Sequence, residues 1–218
     1  MTSPEKISTS LLPSSPHARI AAVVLAGGQS SRMGGGDKCL LPLGGQPILL
    51  HVIDRITPQV EAVVLNANGE SARFSGFGLP VVSDSISGFA GPLAGVLAGL
   101  DWAAENGFSH IVSVAADSPF FPPRLVTGLR FGCEASHLPL AMVHSARAGG
   151  GYFRQPTFAL YDVALRENLR TALQGGVHKI IQWVEPLGCA PIVFHSFGDD
   201  PFFNINTPED LAHAEGLL

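Results

Sequence analysis

Apolar residues in this chain come in short unbroken runs separated by segments of helical period. The run Ile20-Ala21-Ala22-Val23-Val24-Leu25 is apolar throughout, the pattern of a strand covered by helices on both faces. Pro47 then opens a segment with Ile48, Leu49, Val52, Ile53 and Ile56 on one helical face, stopped by Pro58. Residues 61–66 (EAVVLN) and 80–83 (PVVS) read as further strands, and the Ala/Leu-rich stretch 92–106 as a helix with Gly107 as its C′ residue. Residues 110–116 (HIVSVAA) form a fourth strand, after which Pro122-Pro123 opens another helix. In the last third, 141–144, 157–160 and 192–195 look like strands and 162–173 like a helix. Thr207 and Pro208 there mark a helix start, as N-cap and first helical residue. Strands alternating with helices predict an α/β fold, a doubly wound, mostly parallel sheet in a three-layer α/β/α arrangement.

Composition narrows the class. The chain has 218 residues, 46% hydrophobic and only 14% charged, which suits one well-buried globular domain. Residues 19–218 are expected to form that domain, and the Ser/Thr/Pro-rich residues 1–18 a disordered tail. That tail lacks the apolar run of about 7–15 residues that a signal peptide needs. No stretch approaches the ~20 apolar residues of a membrane span. A net charge of -5 without a Lys/Arg cluster argues against a nucleic-acid groove. Cys39, Cys133 and Cys189 are widely spaced and odd in number, fitting reduced thiols and not a disulfide framework or zinc site. A cytoplasmic protein is expected, with neither membrane nor nucleic acid as partner.

The first apolar run leads into Leu25-Ala26-Gly27-Gly28-Gln29-Ser30-Ser31-Arg32-Met33-Gly34-Gly35-Gly36-Asp37-Lys38. Glycines let backbone N–H groups approach an anion closely, and Arg32 and Lys38 place fixed positive charge where phosphates would lie. Neither familiar glycine fingerprint fits: Cys39 follows Lys38 where a Ser or Thr would stand in one, and the spacing fails in the other. Doubly wound folds bind ligands at the carboxyl ends of their strands, so this loop is read as a phosphate cradle. Asp117 directly follows the fourth strand, on that same edge, where a carboxylate can reach a cation bridging phosphate oxygens. It stands too far from the next helix start to serve as its cap. Asp84 and Asn66 also end strands, but alone each reads equally as a turn residue. Asn204 and Asn206 flank Ile205 at strand spacing, so both amides can face one partner; the same residues read equally as preparing the Thr207 cap.

These motifs resemble one family. LAGG-x-SSRMG-G-x-DK after a strand, with LPLGGQP at residues 41–47, D followed by GPLAG at 84–95, and FNINTPEDL at 203–211, is similar to the molybdenum cofactor guanylyltransferases, the MobA family of the nucleotide-diphospho-sugar transferase-like superfamily. The likeness spans nearly all of residues 20–218. It implies a Rossmann-like nucleotidyltransferase fold in which Leu25, Ala26, Gly27, Lys38, Asn66, Asp84 and Asp117 bind GTP. Asp117 would hold Mg2+, with Lys38, Asp117 and Arg32 catalytic, while Gly35, Asn204, Asn206 and His178 would bind the acceptor. Two positions depart from the family pattern: Gln155 stands where a His precedes Pro, and His178 where an Arg is usual, exchanging a fixed guanidinium for an only partly charged ring.

The activity implied is transfer of GMP from GTP to the phosphate of molybdopterin, with or without bound molybdenum, releasing pyrophosphate. GTP and molybdopterin would be the partners of a monomer that makes transient contact with molybdenum-insertion proteins or apo-molybdoenzymes. Within the same class, the alternatives are a cytidylyltransferase for the same cofactor or a sugar-phosphate nucleotidyltransferase. The Gly27-Gly28 pair and GPLAG favour guanine over both. A different class, a non-catalytic carrier of GTP or molybdopterin, is disfavoured by the retained Lys38 and Asp117. His51, His110 and His213 read as surface residues without a role.

Overall fold

A computed structural model describes residues 18–27, 37–86, 88, 91–146, 150–195 and 198–218. Most of the expected N-terminal tail, together with Arg32 and Gly35, lies outside the described residues. In chain order the elements are β1 (Ile20–Leu25), β2 (Pro42–Leu43), β3 (Gln46–Pro47), α1 (Ile48–Ile56), β4 (Ala62–Asn66), β5 (Val81–Val82), α2 (Pro92–Glu105), β6 (His110–Ala115), α3 (Leu125–Ser136), β7 (Leu140–Ala146), β8 (Tyr152–Asp162), α4 (Arg166–Gln174), α5 (Ile180–Val184), β9 (Ala190–Phe194) and α6 (Pro208–Glu215).

Seven strands form one sheet in the order β5-β4-β1-β6-β8-β7-β9. Only β8 runs antiparallel to its neighbours, so the sheet is mostly parallel as expected. Central β1 shows why its sequence is apolar throughout. Ile20, Ala22 and Val24 face one core with α1 and α3, while Ala21 and Val23 face a second with α2, α4 and α5. Helices on both faces complete the three layers. A third, smaller cluster packs Leu43 and Ile48 against Ile205 and Ala214, which brings the C-terminal segment back to the residues that follow Lys38.

Helix α2 is sunk more deeply than an ordinary amphipathic helix: every residue from Leu93 to Leu100 is buried. Two glycines permit this. A Cβ on Gly99 would sit 2.8 Å from Val23 Cβ, and one on Gly95 2.9 Å from Asn66 Cγ. The helix axis therefore lies directly on β1 and β4, and Gly107 closes it with φ 72.

Several boundaries differ from expectation. Helix α1 ends at Ile56, before Pro58 as expected, and a separate 3-10 turn, Thr57–Gln59, follows it, in which a proline at the first positions loses no helical hydrogen bond. Asp162, expected in a helix, ends β8 and caps the following 3-10 turn by accepting from Ala164 N at 2.8 Å. Strand β8 is far longer than residues 157–160, since its exposed first half carries no apolar pattern. Helix α3 begins at Leu125, after Pro122-Pro123. The segment holding Asn204 and Asn206 is no strand. Cysteines 39, 133 and 189 are free thiols, as expected. No helix among the described residues is long and apolar enough to cross a membrane.

Gly99→Ala should destabilise the protein even though Ala gains about 1 kcal/mol in helix propensity. Overpacking against the rigid Val23 costs about 1–3 kcal/mol. A lower urea midpoint with an unchanged slope is the expected result, and a raised midpoint would contradict the close packing.

Candidate active site

Parallel pairing sets three strand exits side by side. Leu25 at the end of β1 is in register with Asn66 ending β4 and with Ala115 ending β6. Beyond the strands the ladder continues: Ala26 N donates to Asn66 O at 2.9 Å, and Ala116 N to Leu25 O at 3.3 Å. The glycine-rich segment and Asp117 thus leave the same edge of the sheet.

Lys38 returns to that edge from the far end of the glycine-rich segment. Its Nζ lies 2.5 Å from Asp117 Oδ2 and donates to Asn206 Oδ1 at 2.6 Å. Asn204 Nδ2 donates to the other oxygen of Asp117 at 3.1 Å. Both asparagine amides therefore converge on the Lys38–Asp117 pair, from a loop held in place by a backbone bond from Ile205 N to Asp117 O at 2.9 Å. Behind this loop a capping box fixes the start of α6. Asp210 Oδ2 accepts from Asn206 N at 2.8 Å and Thr207 N at 2.9 Å, and Thr207 Oγ1 accepts from Asp210 N. The backbone N–H groups of Asn206 and Thr207, both donated to it, lower the pKa of the Asp210 carboxyl. Lys38 and Asp117 are each over four-fifths buried, at 14% and 18% side-chain exposure, so their attraction is screened less than at an open surface.

A second polar group lies at the ends of β4 and β5. Asp84 Oδ1 accepts from Asn66 Nδ2 at 3.0 Å and Oδ2 from Asn68 Nδ2 at 2.7 Å, while Asp84 N donates to Asn68 Oδ1 at 2.9 Å. Asp84 is thus clamped from both sides. Gly27 runs beside the same Asn66, and a Cβ there would lie 3.9 Å from Asn66 Oδ1. The backbone carbonyl of His178 lies near Gly91, just before α2. Gln155 donates to Ser145 Oγ at 3.0 Å and to Asp200 Oδ2 at 3.1 Å, tying β8 to the loop that precedes Asn204.

Sequence reasoning missed Asn68, Asp210 and Arg73. The spacing Thr207-x-x-Asp210 carried a legible capping-box signal, and Asn68 stood in plain view two residues after Asn66. Arg73 had none, since its partner Asp37 is distant along the chain. Of the histidines set aside, His51 is half-buried and hydrogen-bonds Leu43 O at 2.8 Å, a structural contact under the site.

A mostly parallel sheet whose central strand exits carry a clamped carboxylate on one side and a Lys–Asp pair on the other is an α/β domain with a charged site at the carboxyl edge of its strands. Residues 22–187 match the family model described as the MobA-like NTP transferase domain. The chain is 46% identical over 207 residues to a molybdenum cofactor guanylyltransferase of Bradyrhizobium sp. (strain ORS 278), covering 94% of this chain and 95% of that one. It is 47% identical to another from Mesorhizobium japonicum, covering 91% and 96%. Among solved structures, molybdopterin-guanine dinucleotide biosynthesis protein A from Archaeoglobus fulgidus superposes with TM-score 0.67 at 25% identity, covering 91% and 97%. A CMP-2-keto-3-deoxy-manno-octonic acid synthetase complexed with CTP superposes with TM-score 0.69 at 15% identity, covering 91% and 97%, a likeness of fold alone. The chain belongs to the MobA-like NTP transferase family, and is a nucleotidyltransferase.

Next to Lys38, Cys39 is buried, and desolvation, with Asp37 and Asp117 adding to it, pushes its thiol from 9.0 up to about 12. Burial likewise raises Cys133 to about 11. Because the folded state favours the neutral thiols, their contribution to stability is complete below pH 9 and is lost as pH rises from there towards 12. Both thiols should resist an aromatic disulfide reagent at pH 8 in native protein and react once it is unfolded in denaturant; rapid native labelling of Cys39, located by peptide mapping, would contradict its burial.

Proposed function

We propose that this chain transfers the GMP moiety of GTP to the terminal phosphate of molybdopterin and releases pyrophosphate. The observation that carries this reading is the Lys38–Asp117 pair, gripped by Asn204 and Asn206, at the edge where the β1 glycine-rich segment emerges. It is supported by relatives at 46% and 47% identity named molybdenum cofactor guanylyltransferase.

Asp117 is the proposed magnesium ligand. It offers hard carboxylate oxygens, and among the described residues no group of three or more His, Cys, Asp or Glu side chains forms a closed cage. That donor set suits a cation which keeps several waters and takes other ligands from substrate phosphates. When magnesium is bound, the chemistry it supplies is neutralisation of phosphate charge.

In the reaction a terminal phosphate oxygen of molybdopterin attacks the α-phosphorus of GTP in line. The new P–O bond forms as the bond to the β-phosphate oxygen breaks, and its electron pair leaves with pyrophosphate. An acceptor phosphate is already ionised at neutral pH, so no general base is required. Repulsion between two polyanions is the obstacle, and the protein opposes it with fixed positive charge and alignment. Lys38 is placed to exchange its Asp117 partner for a phosphate. Leu25, Ala26 and Gly27 bring backbone, and Asn66 and Asp84 a fixed polar edge, to the nucleotide. Asn204 and Asn206, with Gly35 and His178, are assigned to the acceptor, and Arg32 to the transfer step beside Lys38 and Asp117.

Incubation with each of the four NTPs, magnesium and molybdopterin should give a dinucleotide from GTP alone. A cytosine dinucleotide from CTP would favour the cytidylyltransferase reading, and GTP binding without turnover the carrier reading. Lys38→Ala and Asp117→Ala should each slow pyrophosphate release by at least ~100-fold, as loss of one electrostatic stabiliser does elsewhere; wild-type rates in both would sink the mechanism.

A further inference from the structure

The two polar groups of the site are joined by Arg73, a residue of the 3-10 helix Ser71–Phe77 that has no part in either. Its Nε pairs with the carboxylate of Asp37, the residue immediately before Lys38. Its Nη2 donates to Asn68 O at 2.7 Å, and its Nη1 to Glu70 O. The guanidinium carbon lies 4.6 Å over the ring of Phe74, which is fully buried. All three nitrogens and one face of the plane are thereby engaged. Arg73 is 28% exposed and Asp37 21%.

From this arrangement we infer that Arg73 is a positioning residue, a brace that fixes the distance between the phosphate half of the site (Lys38 with Asp117) and the nucleoside half (Asn66 and Asn68 with Asp84). This rests on the reading that the site takes a nucleoside triphosphate. Such a ligand reaches both halves at once, so its affinity depends on how closely their spacing matches its own length. When the halves are braced, binding one end places the other end in register; when they are loose, that ordering must be supplied on binding. Arg suits the task because its planar fork makes several directed bonds at once, whereas a Lys in its place would keep the ion pair and lose the bonds to the Asn68 and Glu70 carbonyls. The brace acts at the two points that matter: Asp37 precedes Lys38 in the chain, and Asn68 is hydrogen-bonded twice to Asp84.

Titration calorimetry on the whole chain tests this with three ligands in the presence of magnesium: GTP, inorganic tripolyphosphate and guanosine. Arg73→Met should weaken GTP about tenfold, while tripolyphosphate and guanosine, each needing only one half, change less than twofold. Arg73→Lys should fall between. Asp37→Asn should weaken GTP in the same selective way, and the double variant should be little worse than Arg73→Met alone, since both changes cut one connection. If Arg73→Met does not fold, the Asp37→Asn and Arg73→Lys variants decide by the same pattern. A lowered melting temperature with GTP affinity unchanged would overturn the inference, as would a parallel fall for all three ligands, which marks collapse of the local structure. Failure of the wild-type chain to bind GTP would instead remove the functional reading on which the inference rests.

Discussion

Everything at the site depends on the pairing of β1 with β4 on one side and β6 on the other. Because the three strands are parallel and in register, Leu25, Asn66 and Ala115 end at one level. The residues that follow each strand are then neighbours without any further device. A single shift of register would turn the outward side chains of one exit by a full face. The two-sided burial of β1 secures the register, because both of its faces are committed to cores.

The same constraint explains the glycines of α2. The helix has to lie flat on β1 and β4 for its start to reach the strand exits, and Gly95 brings it against Asn66 itself. Asn66 is in turn fixed to Asp84 and to Val82 O. Packing and polar order therefore meet at one residue: a side chain at position 95 would disturb Asn66, and through it the clamp on Asp84. Gly91, Pro92 and Gly95 belong to one short motif, and the structure gives each a separate place in it: an unusual N-cap conformation, a first helical residue and a point of close approach.

The first two thirds of the fold could be read from the sequence because buried parallel strands and their helices carry unbroken or strictly periodic apolar patterns. The helical face of α1 matched residue for residue. The last third was legible only in part. Strand β8 is exposed over its first half and slips in register against β7 between Met142 and Val143, so no simple period survives in Tyr152–Asp162. The short helix α5 lacks the length for a recognisable face. At the site, residues that end strands were visible by position: Asp117, Asp84 and Asn66. What tied them together was not, because each partner is set by a three-dimensional return of the chain, as with Arg73 to Asp37 or Asn206 to Lys38.

The bond from Lys38 to Asn206 joins residues 168 positions apart, and Leu43 and Ile48 share their cluster with Ile205 and Ala214. Among the described residues the side-chain partners of Lys38 are thus one residue following β6 and one preceding α6, so the pocket combines an early and a late part of the sequence. The most non-local contacts are also the ones that complete the pocket. A break in the chain between β9 and Asn206 would therefore leave every strand of the large sheet in place and take away the clasp on its lysine.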